Sequence, residues 1–94
     1  MGELLEQIRR AVQEDRYLFS AHADERLRER GITSWQVVDG LSRGRLIRER
    51  EDATPHPVAE VEQELIDASR IKAVWGYARS RGVALLITVH FLDP

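Results

Sequence analysis

The hydrophobic period of the chain changes at Gly44, and that change fixes the class of fold open to it. Before Gly44, apolar residues recur three and four apart, as in helices packed by one face. After it they alternate or run together, as in strands. Leu4, Leu5, Ile8, Ala11 and Val12 predict a first helix over residues 3–14. Tyr17-Leu18-Phe19 reads as a short extended or strand-like bridge. Ser20 is placed to cap a second helix over 21–30, with Asp24 and Glu25 near the positive end of its dipole. Gly31 is a good left-handed stop, and a Leu27–Ile32 contact would complete a Schellman ending. Thr33 and Gln36 fit a capping box, opening a third helix over 34–42 with Trp35, Val38 and Leu41 as its inward stripe. The last two helices thus form a short pair.

Strands are expected at 45–50, 61–68, 71–78 and 83–91, with Pro55 and Pro57 marking a loop over 52–59 and Arg79-Ser80-Arg81-Gly82 a hairpin turn. The last strand is apolar on both sides. Strict alternation puts Val83, Leu85, Ile87, Val89 and Phe91 on one face and Ala84, Leu86, Thr88 and His90 on the other. The expected fold is α+β: three N-terminal helices on a sheet of three or four antiparallel strands, one domain over residues 1–94.

Composition narrows the chemistry. A 94-residue chain is one domain's worth. It has no cysteine, which excludes disulfides and thiolate catalysis, and with only His22, His56 and His90 as imidazoles neither a metal nor a cofactor is expected. The opening MGELLEQIRR is amphipathic rather than signal-like, and the apolar run from Val83 to Val89 is too short to span a bilayer, so a cytoplasmic, non-membrane protein is expected. A net charge of −2 argues against a general polyanion binder. The charge is uneven, however. Seven arginines stand against Glu29, Asp39 and Glu49 between Arg26 and Arg50, while Glu51 to Asp67 holds six acids and no Lys or Arg. Thirteen arginines to one lysine, Lys72, suits phosphate recognition, although a GC-rich genome produces the same bias.

The second helix carries the most chemistry. His22, Arg26 and Arg30 fall at i, i+4 and i+8, one stripe beside the core residues Ala23 and Leu27. Arginines at a core edge need partners. Either acids of the same domain supply them, with His22 bonded to a carbonyl, or an anionic ligand does. In the second case Arg26 and Arg30 bind phosphate, and His22, its imidazolium disfavoured near a helix N-terminus, serves as a neutral base. His90, at a strand end, joins such a site only if it converges on that stripe. His56 reads as solvated, and Trp35 and Trp75 as core. Tyr77 is a candidate base or phosphate contact. Arg43, Arg45, Arg48 and Arg50 either clasp a phosphate backbone or blunt an edge strand. No phosphate-cradling glycine loop or nucleophile elbow is present, so kinase, oxidoreductase and serine-hydrolase chemistry have no support.

The string Ser20-Ala21-His22-Ala23, Arg26, Glu29-Arg30-Gly31-Ile32-Thr33, then Val37, Val38, Leu41 and Gly44, resembles the bacterial domain-of-unknown-function family 4258. Its pattern S-x-H-A-x-x-R-x-x-E-R-G-I-S/T precedes a sheet whose last strand often ends I-T-V-Y or I-T-V-H, here Ile87-Thr88-Val89-His90. The resemblance implies a fold akin to RelE/ParE toxins and related small ribonucleases, two helices against a twisted antiparallel sheet; some relatives in that broad group cleave RNA without metal. It carries over His22, Arg26, Arg30, Thr88 and His90 as motif positions. The acidic strand from Glu60 to Asp67 departs from the pattern and would sit badly against RNA. Three functions follow as expectations: a protein-interaction module, meeting an antitoxin-like partner or a second copy; a metal-independent ribonuclease or RNA-binding protein using His22 and His90, with Arg26 and Arg30 on the phosphate; and a sensor of a small anionic ligand.

Overall fold

In a computed structural model describing residues 2–92, the elements are α1 (Glu3–Gln13), β1 (Tyr17–Phe19), α2 (Ala21–Arg30), α3 (Ser34–Gly40), a 3-10 turn (Leu41–Arg43), β2 (Arg45–Arg50), β3 (Val58–Glu64), β4 (Arg70–Ala78) and β5 (Val83–Phe91). The α+β class stands. The sheet does not match the expectation: it has five strands, ordered β1-β5-β4-β3-β2, and is mixed. Tyr17-Leu18-Phe19 is a strand in its own right, running parallel to β5 through Tyr17↔Ala84, Leu18↔Leu85 and Phe19↔Leu86. The other pairings are antiparallel.

Strand β3 starts earlier than its weak alternation suggested, directly after Pro57, and its first four residues are buried on both faces. The chain from Leu65 to Ser69 is a turn closed by Leu65 N–H donating to Ser69 O at 2.8 Å. Within α3 the inward residues are Val37 and, just beyond it, Leu41. Of the expected stripe, Leu41 is buried and Val38 packs partly buried against the core, but Trp35 points out and is 56% exposed. The expected capping box also differs: Gln36 Nε2 donates to Thr33 Oγ1 at 2.9 Å, while Gln36 Oε1 accepts Ile66 N–H at 3.0 Å and ties α3 to the β3–β4 turn.

All three helices pack on one face of the sheet. Leu4, Leu5, Ile8, Ala23, Leu27 and Val37 join Val61, Ala73, Trp75, Leu86 and Val89 in a single core. Each buried Leu or Ile there contributes roughly 1.5–3 kcal/mol. The ends of α2 are built as local sequence dictates. Ser20 Oγ accepts Ala23 N–H at 2.9 Å. Gly31 sits at φ 66°, with Ile32 N–H donating to Leu27 O and Gly31 N–H to Arg28 O, the two bonds of a Schellman ending. Helix α1 ends in the same way around Asp15, a non-glycine residue at φ 61°. No helix is long and apolar enough to cross a membrane among the described residues.

Two bulges decide which side chains face the helix-free side of the sheet. On β5, Val74 pairs with Thr88 but Trp75 pairs with Leu86, leaving Ile87 as an extra residue. Strict alternation is broken there: Ala84, Leu86 and Val89 all reach the core, and Thr88 and His90 turn to the open face. On β2, Ile47 is extra between Leu46↔Val61 and Arg48↔Glu60, which turns Arg48 and Arg50 outward on the same open face as Arg45.

A candidate anion site on the open face of the sheet

Helix α2 continues where β1 stops. Ser20 N–H donates to Leu86 O at 3.0 Å and Ser20 Oγ to Ile87 O at 2.9 Å, which fixes the helix start to β5 at its bulge. From there α2 packs along β5. Ala23 and Leu27 enter the core, and His22, Arg26 and Arg30 form the polar border. The register of β1 on β5 thus brings the stripe to His90, whose surroundings include the positive charges of Lys72, Arg30, Arg26 and His22. Burial is the larger influence and those charges add to it: both hold the His90 imidazole below its ordinary pKa of about 6.5, favouring the neutral form.

The two arginines share one carboxylate of their own helix. Arg26 Nη1 meets Glu29 at 3.1 Å, and Arg30 lies 4.0 Å from the same carboxylate, which is about half exposed. Exposed pairs of this kind contribute about 0–1 kcal/mol, so a bound anion displaces them at little cost. Arg26 Nε also lies 3.4 Å from His22 Nε2, a long hydrogen bond along the stripe. Two buried polar atoms, Arg30 Nε and Thr88 Oγ1, have no hydrogen-bond partner among the described residues. The motif residues His22, Arg26, Arg30, Thr88 and His90 therefore lie on one border of the open face, with donors in excess.

Lys72 was missed as a site residue. It is the chain's one lysine, directly opposite His90 in the β4–β5 register. The sequence offered only its rarity as a signal, since its neighbour depends on the Ile87 bulge. Tyr77 is on the other face, packed against the core beside Arg16, and is not part of the site. His56 lies in the loop after β2, and Trp75 is core. Arg43 pairs with Asp39 at 3.0 Å beyond the sheet.

The acids of β3 are placed differently from what their sequence suggested. The Glu60 side chain is 6% exposed and Glu62 13%. Above Glu60 lie Arg48 (3.2 Å), Arg50 (3.1 Å) and Lys72 (3.8 Å). Above Glu62 lie Arg45 and, at 2.9 Å, Arg70. Hydrogen bonds from Arg45 and then Arg70 hold the Glu62 carboxyl below the usual range. The carboxylates are the lower layer and the cations the upper one, so this part of β3 presents positive charge.

The family described as Domain of unknown function (DUF4258) has a model that matches residues 19–91, and the chain belongs to that family. No curated protein and no solved structure matches it.

Proposed function

We propose that this family member is a toxin-like, metal-independent ribonuclease that holds one RNA phosphodiester between α2 and β5. The observation that supports the reading is the meeting of His90, kept neutral, with Arg26, Arg30 and Lys72 at the border of the open face, beside the buried Arg30 Nε and Thr88 Oγ1, which have no hydrogen-bond partner among the described residues. Arg26 and Arg30 take the phosphate oxygens, and Lys72 adds charge as negative charge grows on phosphorus. The neutral His90 accepts the proton of the 2′-hydroxyl, whose oxygen bonds to phosphorus as the bond to the 5′-oxygen breaks. His22, carrying a proton taken from solvent, gives it to the departing 5′-oxygen, and the proton on His90 returns to solvent, which resets both rings. The products are a 2′,3′-cyclic phosphate and a 5′-hydroxyl.

The test is purified full chain on a single-stranded RNA, with product ends analysed, alongside His90→Ala and Arg30→Gln. Cyclic phosphate ends that the wild type makes and either variant loses at least a hundredfold support the reading. Intact RNA with the wild type overturns it.

A protein-interaction role has its own supporting observation. Trp35 and Ile66, 56% and 76% exposed, stand on segments tied together by the Gln36–Ile66 bond. Sedimentation of the full chain tests the self-association form: a dimer that Trp35→Ser with Ile66→Ser converts to monomer supports it, and an unmoved equilibrium rejects it.

A further inference from the structure

The cations of the open face do not stop at the α2–β5 border. The rung His90↔Lys72, Lys72↔Glu62, Glu62↔Arg45 runs straight across β5, β4, β3 and β2, and the next rung runs Thr88, Val74, Glu60, Arg48. Neighbouring strands lie about 4.8 Å apart, so these rungs span about 14 Å. On them stand Lys72, Arg45 and Arg48, and from the adjoining rungs Arg70 and Arg50 reach in; these side chains are 33% to 75% exposed, over two carboxylates that are nearly covered.

We propose that this carboxylate-backed layer of cations is a track for the phosphates flanking the reactive one, and that the polymer it fits is an extended single-stranded RNA crossing from α2 toward β2. The proposal rests on the ribonuclease reading for what happens at His90, but the track is a binding surface in its own right. Glu60 and Glu62 act as internal counter-ions. They fix the guanidinium groups above the sheet without cancelling them, since each carboxylate serves at least two cations. A guanidinium held by one edge keeps its other N–H groups for phosphate and its flat face for a base to stack on.

Two features favour a single strand over a duplex. The layer follows the sheet across its strands, whereas a duplex is gripped by elements spanning successive grooves. Attack by the 2′-oxygen also needs a backbone free to come into line, and A-form pairing holds it out of line.

The experiment uses the full chain, wild type and the Arg45→Gln/Arg48→Gln double variant. Both substituted side chains are well exposed and leave the core untouched. Anisotropy of a labelled eight-nucleotide single strand, read at several salt concentrations, is compared with a duplex of the same length, and cleavage of a dinucleotide is followed in parallel. The expected result is weaker binding of the eight-mer by the double variant. Its log–log salt slope is shallower by about 1.4, at roughly 0.7 per lost single-strand phosphate contact. Dinucleotide cleavage is unchanged, and the duplex binds at least tenfold more weakly than the single strand. An unchanged salt slope in the variant, or duplex binding as tight as the single strand, overturns the track. Failure of dinucleotide cleavage with the salt slopes as expected overturns the ribonuclease reading and leaves the track standing.

Discussion

Gln63 and Trp75 are joined by a buried hydrogen bond between neighbouring strands: the indole Nε1–H donates to Gln63 Oε1 at 3.1 Å. Gln63 Nε2 in turn donates to the Val37 carbonyl at 2.8 Å, so one amide ties β4 through β3 to the last turn of α3. A buried polar group left unpaired costs about 1–3 kcal/mol. Gln63→Leu strands two such groups, and unfolding in urea should show a loss of about 2–4 kcal/mol. A loss under about 0.5 kcal/mol would mean that the bridge carries no net stability.

Ala68 occupies the left-handed region at φ 72° in the turn between β3 and β4. A Cβ there costs about 1–2 kcal/mol, against under about 1 kcal/mol of extra chain entropy for glycine in the unfolded state. Ala68→Gly is therefore expected to stabilise the protein by about 0.5–1 kcal/mol, and Ala68→Val to destabilise it. Thermal melts of the two variants should move in opposite directions; a drop in Tm for the glycine variant contradicts the account.

Ser20 both caps α2 and fastens it to the β5 bulge. Ser20→Ala removes an acceptor for Ala23 N–H and a donor to Ile87 O, and should cost about 1–2 kcal/mol. Amide exchange should rise first in the opening turn of α2. Uniform protection across the helix would show that β5 packing alone holds it.

His90 gives the domain a pH dependence of definite sign. Burial first, and then Lys72, Arg30, Arg26 and His22, lower its folded pKa below the unfolded value of about 6.5. The folded state then binds fewer protons than the unfolded state. The contribution is present in full above about pH 6.5 and is lost as pH falls through the folded midpoint. An NMR titration of the His90 ring should give a midpoint under 6.5 that rises in Lys72→Gln. A midpoint at or above 6.5, unmoved by that substitution, would show that the neighbouring charges do not reach the ring.

How much of this was legible depended on how local the deciding contacts are. Both ends of α2 could be read because Ser20, Leu27, Gly31 and Ile32 settle them within one segment. The inward face of α3 could be read only in part: Val38 and Leu41 pack inward as expected, but seven residues are too few to show that Val37 is buried and Trp35 is not. Residues 17–19 read as extended or strand-like, but their place in the sheet could not be read because three residues carry no period and their partners lie at Ala84 to Leu86. The stripe of His22, Arg26 and Arg30 was visible as a stripe. Its meeting with His90 depends on the Ile87 bulge, which leaves no local mark in the run Val83 to Phe91. The Glu60 and Glu62 side chains read as repellent to RNA because alternation shows which residues share a face but not which lie on top.

The parallel pairing of β1 with β5 also sets an order of events during synthesis. Residues 17–19 have no strand partner until residues 84–86 have been made, and the start of α2 is fastened to that same stretch. The polar border of α2 can thus meet His90 only after the chain has been made through β5. Until then residues 17–19 and the start of α2 have no sheet to join, so this border is among the last parts of the fold to close.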